Sequence, residues 1–314
     1  MSLHEQLYQW TAQGGLDAIS ARRLWQLSGA GQPPAGLWTW LRRGTGVLAT
    51  GLIGFGVILW VAANWDTLGR AARFGLLEGL LVVSLLGAAV RPGWRGPLGL
   101  LAFLTLGGLL AYFGQTYQTG ADAWTLFALW AGLAFPLALA VGSDLIWTPW
   151  VVVTSLAIRL WVETFGGHGW HFEASTLPVH GAGLGASLLL SLVMAWREVR
   201  TGQPWAWRMS VLTGSVLVVT LALGSVFHKE LAPQFWWSLG TLIVALSLAW
   251  WHREVYAMSL LALSLNIVLV AWQFHGRRLD SVVDLLVLGG TAAVLLAGSV
   301  QLIVRRVRST GVQG

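Results

Sequence analysis

The sequence contains no cysteine. That excludes disulfides, thiol nucleophiles and thiolate metal sites together, and leaves carboxylate, histidine and hydroxyl groups for any chemistry. Charge is also scarce. Only 10% of the 314 residues are charged and 56% are hydrophobic, whereas an ordinary soluble domain carries about 25% charged residues. So few charges cannot cover the surface of a soluble domain of this size. There is no GK[ST] phosphate loop, no Gly-x-Gly-x-x-Gly following a strand and no G-x-S-x-G elbow, so nucleotide-driven and serine-hydrolase chemistry have no support. The net charge of +6 comes without a dense basic stripe interleaved with aromatics, which argues against nucleic acid as a partner.

What the chain does have is a series of apolar runs, at about 46–63, 74–90, 97–113, 123–141, 145–162, 178–196, 209–227, 233–251, 255–274 and 282–304. A helix crossing a bilayer needs about 20 mostly apolar residues. The pattern predicts an all-α integral membrane protein of about ten transmembrane helices. Tryptophan supports the segmentation, because its amphipathic ring prefers the headgroup layer. Trp60, Trp65, Trp94, Trp124, Trp147, Trp161, Trp196, Trp236 and Trp272 fall at or near run ends, and Trp130 lies well inside one.

Ahead of the first run, residues 1–30 read as a cytoplasmic helical hairpin, with apolar stripes on either side of Gly14-Gly15. Residues 31–45, with Pro33 and Pro34, read as a linker. Residues 46–304 form the polytopic domain and 305–314 a basic cytoplasmic tail. No cleavage site follows the first run, which reads as a signal anchor. With the N terminus inside, thirteen arginines lie on the cytoplasmic side and five basic residues outside, with Arg159 within a span. The bias predicts N-in and C-in. Five and five helices invite an inverted repeat, but the halves share no visible motif.

Under this topology the polar motif residues fall on the outer side: Asn64, Trp65 and Asp66 in WVAANWDTL, and Gln115, Tyr117 and Asp122 in FGQTYQTGADAW. Glu78 lies within a span, where a carboxylate is costly and faces a cavity or a partner. Gly75 and Gly79 flank it at the small-xxx-small spacing of tight helix contacts. Arg159 and Glu163 are four apart and share a helix face, which predicts an ion pair. Asn266, in the ninth run, is a candidate interhelical hydrogen-bond donor. His168, His171, Glu173 and His180 offer nitrogen and oxygen ligands, but H-x-x-H-x-E lacks the i, i+4 geometry of helical zinc sites and lies in a Gly-rich loop. We therefore expect no metal and no cofactor.

The hairpin with its GGLDAIS turn, the WVAANWDTL stretch and YFGQTYQTGADAWTLFALWA together resemble an uncharacterised family of predicted prokaryotic membrane proteins, the domain of unknown function numbered 2157. In place of the family's usual Gly-Leu-Ile-Ser turn stands Gly15-Leu16-Asp17-Ala18-Ile19-Ser20. The resemblance covers the first 140 residues or so. It implies a prokaryotic inner membrane and brings no activity or catalytic residues.

Three functional classes follow. The leading expectation is a non-enzymatic structural, sensing or assembly component, with the lipid bilayer, a membrane protein or a second copy as partners. The alternative is a secondary transporter of a small solute using Glu78, Arg159 and Asn266. A third class is a membrane-embedded enzyme acting on lipid or cell-wall precursors through Asp66 and Asp122.

Overall fold

The computed structural model describes residues 17–27, 36–63, 68–117, 120–166, 174–227, 231–273, 275–276 and 281–311. Among them are eleven α-helices and no strand: α1 (Ala18–Leu27), α2 (Leu37–Ala63), α3 (Arg70–Val90), α4 (Arg95–Tyr117), α5 (Ala123–Val141), α6 (Asp144–Phe165), α7 (Leu177–Thr201), α8 (Trp205–Val226), α9 (Pro233–His252), α10 (Val255–Gln273) and α11 (Val282–Gly311). The chain forms two compact units, Met1–Phe55 and Gly56–Gly314, with the boundary inside α2.

In the first unit, Asp17 caps α1 by accepting the Ser20 amide on Oδ1 at 3.1 Å, the usual satisfaction of an orphan helix donor. The other half of the expected hairpin lies outside the described residues. Gly36, at φ 92°, starts α2, and its carbonyl accepts the Trp40 amide at 2.9 Å. Residues 37–45 are therefore helical turns and not linker. Nothing in Leu-Trp-Thr-Trp-Leu-Arg-Arg breaks a helix. The 27 residues of α2 measure about 40 Å at 1.5 Å per residue, longer than the ~30 Å hydrocarbon core, which leaves its charged first turns beyond the hydrocarbon. At the other end of the chain, α11 continues as helix through Arg305, Arg306 and Arg308 to Gly311.

In the second unit, eight helices are long and apolar enough to cross a membrane: α3, α4, α5, α6, α7, α8, α10 and α11. With α2 and α9, which has 20 residues including Gln234 and Ser238, they account for the expected number of about ten. Each helix from α3 to α11 packs against the next, with further contacts α4–α6, α6–α8, α7–α9 and α8–α10. Short connections make neighbours antiparallel, so the turns alternate between two ends of the bundle. The turns at 91–94, 142–143, 202–204 and 253–254 share one end, here the arginine end. The end of α4 and start of α5, the end of α6 and start of α7, the end of α8 and start of α9, and the end of α10 and start of α11 share the other, here the histidine end.

Two apolar cores fill the unit. In one, Phe103 of α4, Ala134 and Ala138 of α5, Ile146 and Val151 of α6 and Met194 of α7 pack together. In the other, Leu221 and Ala222 of α8 meet Phe235 and Leu242 of α9 and Met258 and Val268 of α10. Half of the most apolar stretch of α8 is buried inside the protein, and none of that of α11. α8 is the central helix and α11 a peripheral one.

Interior tryptophans stitch the first core. The Trp130 indole N–H of α5 donates to the Phe103 carbonyl of α4 at 3.0 Å, and the Trp150 indole of α6 donates to the Ala131 carbonyl of α5 at 2.9 Å. Without water in the hydrocarbon, a buried indole N–H needs such a partner, and this is how Trp130 sits within a span. Its ring lies on Gly107, where a Cβ would come within 2.3 Å of it.

Candidate functional site

The buried charged, amide and imidazole side chains lie at the two ends of the bundle, Arg197 at one and Gln234 with His180 at the other. At the arginine end, Arg197, in the last turns of α7 and 8% exposed, donates from Nη1 to Asp144 Oδ1. Its Nη2 donates to the Gly142 carbonyl at 3.0 Å and to Gln203 Oε1 at 3.2 Å, and its guanidinium lies 5.2 Å from the Trp147 ring. The second Asp144 oxygen accepts the Trp205 amide at 2.7 Å, and the Asp144 amide donates to Gln203 Oε1 at 2.7 Å.

Each helix supplies the piece its terminus allows. α5 and α7 end on Gly142 and Gly202, both at φ 67° in the left-handed region, a conformation glycine adopts without a Cβ clash. α6 begins on Ser143 and Asp144, with the Ser143 hydroxyl accepting the Leu145 amide at 3.3 Å. A carboxylate is favoured at a helix N-terminus, and Asp144 occupies two, its own and that of α8. One residue thus satisfies the cation ending α7 and an orphan amide starting α8.

A neighbouring pair extends the lacing. Arg208 Nη2 of α8 donates to Glu254 Oε1 at 3.3 Å, and the guanidinium lies between Trp205 and Tyr256, at 5.6 and 5.5 Å. Glu254 follows Arg253, whose φ of 59° makes the tight turn from α9 to α10. At the histidine end, Gln234 Nε2 of α9 donates to Thr176 Oγ1 at 3.2 Å and lies 3.3 Å from His180 Nδ1 of α7. The same His180 Nδ1 lies 3.3 Å from Thr176 Oγ1, so the three polar side chains form one cluster. His275 Nδ1 meets the Val226 carbonyl at 2.6 Å, joining the end of α10 to the end of α8.

The residues singled out from sequence are distributed differently. Asn64, Trp65, Asp66, His168 and His171 lie outside the described residues, and so does Glu173. Gln115 and Tyr117 are exposed in the last turns of α4, and Asp122 is exposed before α5. Tyr117 contacts the rings of Phe74 and Phe113, with centroids 6.2 and 4.7 Å away. Asp122 makes no side-chain cap; its backbone carbonyl accepts the Thr125 amide at 3.0 Å. Glu78 is exposed on α3, and Cβ atoms at Gly75 and Gly79 would meet nothing within 4 Å. The tight helix contact expected there is absent among the described residues, because α3 buries the opposite face, through Leu77, Ser84 and Ala88. Arg159 Nε donates to Glu163 Oε1 at 3.2 Å, both partly exposed. Asn266 Nδ2 of α10 donates to Ser299 Oγ of α11 at 3.0 Å. No described hydrogen bond or ion pair joins Glu78, Arg159 and Asn266 to one another, nor Gln115, Tyr117 and Asp122. Among the described residues no three histidine or acidic side chains gather as a metal group.

Sequence reasoning passed over Asp144, Gln203, Gln234 and Glu254. The local signal for Asp144 was its place after Ser143 at the start of an apolar run. Its partner, 53 residues on, carried none.

Residues 8–147 match the family model described as Predicted membrane protein (DUF2157). The protein is a membrane protein with several apolar helices, and the matched stretch ends just after the turn that carries Asp144. No curated protein and no solved structure matches the chain.

Proposed function

We propose that this protein is a non-enzymatic scaffold or assembly component of a prokaryotic inner membrane, with both termini in the cytoplasm, that recruits a protein partner through its N-terminal segment. The observation that carries this reading is α1. It is a ten-residue amphipathic helix whose Ile19 is 77% exposed beside Arg22 and Arg23, also exposed. Apolar side chains uncovered on a basic helix suit a partner groove with acidic edges. The bundle supports the same reading, because its buried charged and amide groups are engaged in tying helix ends together. The orientation rests on the basic residues collected at the arginine end, among them Arg91, Arg95, Arg197, Arg200 and Arg208. Asn64, Asp66, Gln115 and Asp122 are then the polar contacts offered on the outer face.

The test compares proteins captured from membranes by the full chain and by a variant lacking residues 1–30. We expect at least one specific protein to be lost with the segment; recovery of the same set by both would remove the docking role. Single cysteines at 64–70, 115–122 and 168–173 should label with an impermeant thiol reagent from outside, and those at 200–203 should not. The reverse pattern would invert the orientation.

A further inference from the structure

α10 and α11 meet along an apolar groove of about 460 Å3. Ala262 and Leu263 of α10 face Leu296, Val300 and Ile303 of α11 across it, and Arg308 stands at one end. The stretch from Leu296 to Arg308 is about 18 Å of helix at 1.5 Å per residue, slightly more than half of a ~30 Å hydrocarbon core. The groove therefore reaches from the arginine end through the depth of one leaflet. The Asn266–Ser299 hydrogen bond ties the two helices near its deep end. Small residues at 259, 262 and 299 leave the space open.

The surroundings define what can fill it. No part of the most apolar stretch of α11 is buried, so the groove opens sideways onto the bilayer. A transmembrane helix 10–12 Å across and of the same length would occupy about three to four times the groove's volume. A single flexible hydrocarbon chain matches its section and its length. Arg305 and Arg308 are exposed at the mouth, and Arg306 lies 5.5 Å from the Trp250 ring on α9. Only Arg308 of the three lines the groove. A cation at the end of an apolar slot about one leaflet deep complements the phosphate of a glycerophospholipid whose acyl chain fills the slot.

We propose that this groove is a phospholipid site: one acyl chain of an anionic lipid lies between α10 and α11, and its phosphate pairs with Arg308. The site needs neither the orientation nor the docking role proposed above.

The test is native mass spectrometry of the purified full chain in detergent, titrated separately with phosphatidylglycerol and phosphatidylcholine. The expected result is one tightly retained lipid per chain, with phosphatidylglycerol preferred about fivefold, the contribution of a single cation near an anionic headgroup. Arg308→Gln should bring the two lipids to parity. Ser259→Trp, at an exposed lining position, should fill the groove and abolish retention of both, with Val300→Trp as a second variant at another exposed lining residue. Leu285→Trp, exposed on α11 outside the groove, should bind as the parent does. Circular dichroism identifies variants that retain the fold. Persistence of the fivefold preference in Arg308→Gln, or of the retained lipid in a folded groove-filling variant, would overturn the proposal.

Discussion

Arg197 and Asp144, 53 residues apart in sequence, form an ion pair that joins the ends of four helices. Through the Gly142 carbonyl the arginine also holds the end of α5, and through the Trp205 amide the carboxylate holds the start of α8. Their side chains are 9% and 12% exposed. At such burial the pair matters less for its own attraction than for what each partner becomes without the other.

Removing one partner leaves an uncompensated charge, which typically costs about 3–5 kcal/mol. Arg197→Met and Asp144→Asn should each lower stability by that order in mixed-micelle unfolding followed by circular dichroism. The double variant should be less destabilised than the sum of the singles. Additive losses would show that the two residues act independently.

Gly183 and Gly185 lie on one helix in unlike surroundings. A Cβ at Gly183 would come within 2.3 Å of Val162 Cγ2, and one at Gly185 would meet nothing within 4 Å. Gly183→Ala should therefore cost about 1–3 kcal/mol through overpacking. Gly185→Ala should be neutral or stabilising by up to about 1 kcal/mol, because alanine is the better helix former. The same unfolding assay reads both.

Trp130→Phe and Trp150→Phe keep most of the apolar volume and delete one indole donor each. The carbonyls of Phe103 and Ala131 retain their positions within helices, so the expected loss is about 0.5–1.5 kcal/mol per variant. A loss well beyond that range in Trp130→Phe would mean that the tilted ring contact of Trp130 with Phe103, at 5.1 Å between centroids, carries more than the hydrogen bond.

Asp17 titrates below the usual carboxylate range because the Ser20 side chain and amide hydrogen-bond its ionised form. A depressed folded-state value means that the cap is in full effect at neutral pH and is lost as the pH falls through that depressed value. The 13C shift of the Asp17 carboxyl, followed with the helical amide signals of α1 in acid, should show both changing together. Asp17→Asn keeps a capping oxygen and should remove the pH dependence.

Membrane class, helix number and helix order were legible because each rests on local composition: a run of some twenty apolar residues is its own evidence. The start of α2 was misread because hydropathy marks where a helix enters the hydrocarbon, and the backbone has no reason to stop being helical there. Glu78 shows a second limit. Its flanking glycines fit a helix contact by spacing, yet which face of α3 is covered depends on Leu77, Ser84 and Ala88 meeting α4. Arg159 and Glu163 could be paired on paper because four residues fix a helical face. Asp144 and Arg197 could not, since only the packing of α5 to α8 brings them together.

The same separation sets an order of assembly. At a synthesis rate of about 5–20 residues per second, the Asp144 carboxylate emerges roughly 3–10 s before its arginine, given the 53 residues between them. Through that interval α5 and α6 exist as a hairpin whose turn carries an unmatched negative charge. The pair therefore closes only on a chain made past residue 197; one ending earlier lacks the cation that Asp144 holds in the folded protein.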